Sequence, residues 1–152
     1  MTEEHAKLLL KDLSSRLPYG VKLQISSWDD EKMEYVDKAD TLYSISSDNH
    51  VRTSSEDRDF YIDEVKPYLF PISSMTKEQR NEFPFELSLL NAFINGHISL
   101  FEDEELSVDD IIRMMDCLNR NNIDYRGLIP MGLADDATGK NVYQNMGINR
   151  GI

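Results

Sequence analysis

The sequence predicts an α+β fold: an N-terminal helix, an antiparallel sheet meander and C-terminal helices. Three observations carry this prediction. Apolar residues follow helical spacing over residues 3–17. The period drops to two from Val21, and the strand candidates that follow are joined by connections too short for parallel crossovers. Helix caps and helical spacing return from Thr76 onward.

Taken in order, Ala6, Leu9, Leu10, Leu13 and Leu17 form one helical stripe. Thr2 can cap that helix, Glu3 and Glu4 suit the positive end of its dipole, and Pro18 with Gly20 end it. In "VKLQISSW", Val21, Leu23 and Ile25 alternate with polar residues, the pattern of a half-buried strand. "EKMEYV" and "DTLYSIS" read as two further strands joined by a turn around Asp37 to Asp40. Residues 46–59 are polar and read mostly as loop, with a short edge strand at His50 to Thr53; "FYI" at 60–62 returns to the sheet. "KPYLFP", bracketed by Pro67 and Pro71, reads as an irregular apolar bridge between sheet and helices.

Thr76 and Gln79 match a capping box for a short helix, which Pro84 breaks. Leu89, Leu90, Phe93 and Ile94 form a further stripe with Gly96 as its C-cap. Ser107 caps the next helix, where Val108, Ile111, Ile112, Met115 and Leu118 make the expected buried face; Asn121 and Asn122 end it. Residues 1–134 are expected to form a single domain. Residues 135–152 hold few apolar groups and read as a flexible or loosely docked tail, whose deletion from Gly139 onward should cost little stability.

A chain of 152 residues buries roughly 70% of its unfolded surface, so it needs no staples. The single cysteine, Cys117, excludes an intramolecular disulfide and a cysteine-rich zinc site; a reducing cytoplasm is the expected location. The N-terminus is acidic where a secretory signal is basic, and the longest charge-free stretch, residues 87–101, is too short and too interrupted to span a bilayer. Acids outnumber bases 28 to 16, a formal charge of −12. That disfavours direct nucleic-acid binding, which needs Lys and Arg on the phosphates; it permits a basic partner, while a well-solvated surface accounts for the charge equally simply.

The motifs that approach known chemistry each fall short. "ADDATGKN" nearly spells a phosphate-binding loop: Ala134, Gly139 and Lys140 fit, but Asn141 stands where a hydroxyl should meet magnesium. No apolar strand precedes it and no amphipathic helix follows it, so it reads as a turn. His5, His50 and His97 share no ligand spacing. Cys117 lacks an activating signature, and on a helical wheel it falls away from the Val108 stripe. The acidic run 102–110 lacks the calcium-loop order and suits a helix start. Paired carboxylates such as Asp29/Asp30 and Asp135/Asp136 read as turn residues. No catalytic, metal or cofactor residue is assigned.

Three stretches carry a resemblance: "LPYGVKLQI", "VKPYLFPISSMTKEQ" and "LNRNNIDYRGLIPMGLA". In this order they resemble a family of small proteins from gut anaerobes and their phages or prophages, whose members look like "IKPYLRPMSSMTEEE … LNAHHFDYRGLIEMGLA". The resemblance spans about half the chain and implies kinship, without an assigned activity. Phe70 replaces the family's Arg, and Asn121–Asn122 replace its paired histidines, so a metal or base role for those histidines cannot operate here. Within the landmarks, Asp124 is placed to cap a turn, Tyr125, Leu128, Ile129 and Leu133 to pack, and Arg126 to pair with an acid. Lys66, Tyr68, Tyr125 and Arg126 are the candidate recognition patch. The functional expectation is a non-enzymatic, protein-binding accessory protein of mobile-element origin. The alternatives are an enzyme using an unrecognised carboxylate and tyrosine pocket, or an acidic mimic of nucleic acid.

Overall fold

The structure, a computed structural model, describes residues 1–82 and 107–143. Helix α1 (Glu3–Arg16) opens on Thr2, whose hydroxyl accepts the His5 backbone N–H at 3.1 Å. After a 3-10 turn (Leu17–Tyr19), Gly20 reverses the chain at φ +72°, a conformation costly for a residue with a Cβ. Strands β1 (Lys22–Asp29) and β2 (Glu34–Ile45) form a long hairpin, and β3 (His50–Thr53) and β4 (Asp59–Tyr61) complete an antiparallel meander. The architecture is α+β, as the periodicity predicts.

The hairpin corrects one detail. The turn lies at residues 30–33, and Asp37 to Asp40 sit inside a continuous β2. Their polarity serves neighbouring strands and loops. Asp40 is buried and accepts bonds from the Ser54 and Ser55 hydroxyls (3.0 and 2.6 Å) and the Ser55 backbone N–H (3.2 Å). Lys38 pairs with Glu56 at 3.0 Å, and Gln24 donates to Asp37 at 3.4 Å.

"KPYLFP" is also a strand, β5 (Lys66–Pro71), rather than an irregular bridge. Pro67 tolerates the sheet because it lies next to the strand's first residue, where the ladder with β1 begins at Gln24↔Lys66. β5 also takes two short parallel partners, β6 (Ile123–Asp124) and β7 (Asp135–Asp136). Among the described residues the sheet runs β4-β3-β2-β1-β5-β6, mostly antiparallel, with β7 also on β5.

Leu9 and Leu13 of α1 pack on Leu23, Ile25, Leu42, Val51, Phe60 and Leu69, which defines the core face of the sheet. Helix α2 (Lys77–Glu82) has the expected reciprocal cap: Gln79 N–H donates to Thr76 Oγ1 at 3.2 Å and Thr76 N–H to Gln79 Oε1 at 2.9 Å. Helix α3 (Val108–Arg120) is capped likewise by Ser107 and Asp110. Its buried face is only in part the expected one: Leu118 is buried and Met115 packs against the same cluster, as expected. Met114, Cys117 and Leu118 are buried with Met75, Ile123 and Tyr125, whereas Val108, Ile111 and Ile112 are exposed. The expected stripe at Leu89 to Ile94, the break at Pro84 and the Gly96 cap lie outside the described residues.

Packing does not stop at Ala134. Asp135 and Asp136 pair with Tyr68 and Leu69, and Ala137 N–H donates to Leu69 C=O at 2.8 Å. Tyr143 is buried; its hydroxyl donates to Tyr68 C=O at 2.7 Å and accepts the Lys22 backbone N–H at 3.0 Å. Tyr143 therefore satisfies one backbone group on β1 and one on β5. Residues 144–152 lie outside the described residues.

Candidate functional site

The landmark "DYRGLI" builds a buried polar network. Asp124 accepts the backbone N–H groups of Leu128 and Ile129, each at 2.9 Å, and so fixes the turn in which Gly127 adopts φ +76°. Asp12 and Arg16 of α1 are both 0% exposed. Arg16 donates to both Asp12 carboxylate oxygens (2.8 and 3.1 Å) and to the Ile123 carbonyl at 2.7 Å. Arg126 adds a second cation to Asp12, Nε to Oδ1 at 3.2 Å. The Tyr125 ring lies 5.2 and 5.0 Å from the Arg16 and Arg126 guanidinium carbons, and its hydroxyl donates to Asn119 Oδ1 at 2.7 Å. Each charge has a partner or a carbonyl, as a dry interior demands. The network ties α1 to α3 and to the landmark turn.

Of the four recognition-patch candidates, Tyr125 and Arg126 touch each other inside this network. Lys66 and Tyr68 sit two residues apart on β5, on the sheet face that Tyr143 and Ala137 partly cover. The two pairs belong to different clusters. Burial, then the charges of Asp135 and Asp37, push the Tyr68 phenol up from its ordinary value.

The near-phosphate loop is a turn. Lys140 N–H bonds back to Ala137 C=O at 3.1 Å, with Gly139 at φ +75°. The Lys140 ammonium lies over the Tyr68 ring, 5.8 Å from its centre. Asp136 accepts the Thr138 N–H at 2.9 Å, and bonds from Thr138 hold its carboxyl below the usual range. Cys117 is buried, 3.9 Å from the Gln79 carbonyl, on a face of α3 away from the Val108 stripe. His50 Nδ1 is 3.0 Å from Asp48, and its ring stacks on Tyr61 at 4.4 Å. Among the described residues no three His, Cys, Asp or Glu side chains converge as a metal site. None of their helices is long and apolar enough to cross a membrane.

The feature that sequence patterning missed is the outward face of the sheet. Register fixes which side chains it carries. Ile25 faces α1, so Gln24, Ser26 and Trp28 face outward with their partners Ala39, Asp37 and Tyr35. Val51 and Phe60 face the core, so His50 and Tyr61 face outward as a pair, as do Arg52 and Asp59. Four aromatic side chains are left in solvent: Trp28 is 47% exposed, Tyr35 66%, Tyr43 69% and Tyr61 60%. Tyr43 follows core-facing Leu42 and so points outward, at a bulge of β2 between Leu42 and Ser44. Trp28 and Tyr35 meet edge to face, 5.2 Å apart at 75°. The indole N–H donates to Asp30 at 2.9 Å. The signal available in the sequence was the even spacing of Trp28 from Ile25's polar neighbours and of Tyr35 within β2, hidden by the misplaced turn.

Comparison with family models, with curated proteins and with solved structures returns no match.

Proposed function

We propose that this is a protein-binding accessory protein whose docking surface is the outward face of the β1–β4 meander. The observation that supports this reading is the set of four exposed aromatic rings on one sheet face. Trp and Tyr are the residues that most often anchor protein interfaces, and monomers rarely leave several of them in solvent on one face. The acids and cations with the best-defined geometry serve structural bonds, Asp12 with Arg16 and Arg126, and Asp40 with its serines. That favours binding over catalysis. Mimicry of nucleic acid fits less well, because Arg52 pairs with Asp59 on the same face at 3.3 Å and breaks any row of carboxylates. An origin in a mobile element accompanies this proposal through the landmark resemblance.

The test is capture from a native lysate at physiological salt, with wild-type protein and with the Trp28→Ala/Tyr35→Ala double variant. Both side chains are largely exposed, so the variant should keep its melting temperature. A partner held by the wild type and lost by the variant is the expected result. No stable partner, or one held equally by both, counts against the surface.

A further inference from the structure

The hairpin end of the outward face differs from the rest of it. Residues 29–34 read Asp-Asp-Glu-Lys-Met-Glu, four carboxylates to one lysine, immediately beside the Trp28–Tyr35 pair. Asp29 accepts the Glu31 and Lys32 backbone N–H groups at 2.9 and 3.2 Å, which fixes the turn. Asp30 holds the indole through Nε1, so the larger ring is set before any ligand arrives. Asp37 lies on the same face, two residues from Tyr35. Two rings with electron-rich faces, fixed edge to face and flanked by carboxylates, attract a cation and repel an anion. At the far end of the sheet the character changes, since Arg52 and His50 flank Tyr61 there.

We propose that the Trp28–Tyr35 end of this face receives an arginine or lysine side chain from a basic, extended segment of a partner protein. The proposal rests on the protein-binding reading above and adds the chemistry of the partner to it. The guanidinium or ammonium packs on the exposed rings, and Asp30 and Asp37 supply the counter-charge. Charge complementarity selects this occupant: the chain carries −12 overall, and the hairpin concentrates acids where the apolar surface is exposed. An acidic segment would meet repulsion at the same place.

Trp28 is the chain's one tryptophan, so its fluorescence reports this site alone. The probe is an oligoarginine peptide titrated into the full-length protein at physiological salt, with an uncharged Gly/Ser peptide of equal length as control. A saturable change in Trp28 emission with oligoarginine, and none with the control, is expected. Tyr35→Ala and Asp37→Lys should each weaken binding about three- to tenfold, the range of a partly exposed cation–π or charge contact. Tyr35→Phe keeps the ring and should bind as wild type. Glu4→Lys, the same charge change on α1 at the opposite face, should leave the affinity unchanged. Circular dichroism and melting temperature confirm that each variant is folded. The idea is overturned by absence of a saturable change. It is equally overturned if Glu4→Lys weakens binding as much as Asp37→Lys, which marks diffuse attraction between polyions. If the peptide fails while Trp28→Ala/Tyr35→Ala still loses a native partner, the docking surface stands and only its cationic specificity falls.

Discussion

Asp12 is the residue on which the interior balance of charge depends. It is fully buried and answers two cations, Arg16 and Arg126. Replacing it with Ala leaves the 0%-exposed Arg16 guanidinium without a counter-charge, which costs about 3–5 kcal/mol in comparable sites. Denaturant melts of Asp12→Ala should show that loss; a change below about 1 kcal/mol means that the Leu118 and Ile123 carbonyls suffice for Arg16. Asp40 sets a pH dependence. Burial raises its carboxyl pKa, but bonds from Ser55, Thr53 and Ser54 outweigh burial and lower it to about 2. A depressed carboxyl stabilises the fold above its unfolded value of 3.8, and the contribution is lost as pH falls toward 2. Acid unfolding of the wild type should therefore steepen between those two values. Asp40→Asn should flatten that window and lower stability at neutral pH by roughly 2 kcal/mol. An unchanged acid profile contradicts the assignment.

At the scale of elements, the segment 135–143 acts as a cover. Tyr143 bridges β1 and β5 with one hydroxyl, and its ring packs with Tyr68 and Ala137. Tyr143→Phe leaves the Lys22 N–H and the Tyr68 carbonyl short of a partner and should cost about 1–3 kcal/mol. Tyr143→Ala also opens a cavity and should cost about 3–5 kcal/mol, read as a lower denaturant midpoint. Neutral behaviour of both variants means that the segment is not docked in solution. The same segment makes a second prediction. With Lys140 in a turn over Tyr68, ATP with magnesium should leave the melting temperature unchanged, and a shift abolished by Lys140→Ala contradicts the turn.

Elements with local signals were legible in the sequence. Thr2, Ser107, and Thr76 with Gln79 bond as their spacing implies, and the alternation of Val21, Leu23 and Ile25 identifies β1. What failed depended on partners distant in the chain. Asp37, Lys38 and Asp40 look like turn residues until Gln24, Glu56 and the Ser54–Ser55 loop are brought beside them. Pro67 and Pro71 disguise β5, whose edge pairs come from residues 123–124 and 135–136. On α3 two apolar stripes lie side by side, and the position of Ile123 and Met75 selects Met114, Cys117 and Leu118 over the more apolar Val108, Ile111 and Ile112. The outward aromatic face was illegible for the same reason: it exists only once β1 and β2 are in register.

The whole molecule has a divided character. Its core face is closed by α1 and locked by the Asp12–Arg16–Arg126 network, while among the described residues its outward face is covered only near Tyr68, by residues 137–143. The meander half of that face retains Trp28, Tyr35, Tyr43 and Tyr61 in solvent, and among the described residues nothing packs over it. A rigid scaffold presenting an aromatic, acid-flanked sheet face is suited to recognition with little ordering cost on its own side. The most direct test is amide hydrogen exchange across the chain, alone and with the partner captured by the wild type. The docking account predicts slowed exchange in β1 at Ser26 to Asp29 and in β2 at Glu34 to Asp37, with α1 unchanged. Protection confined to α1, with none on the hairpin, would contradict it.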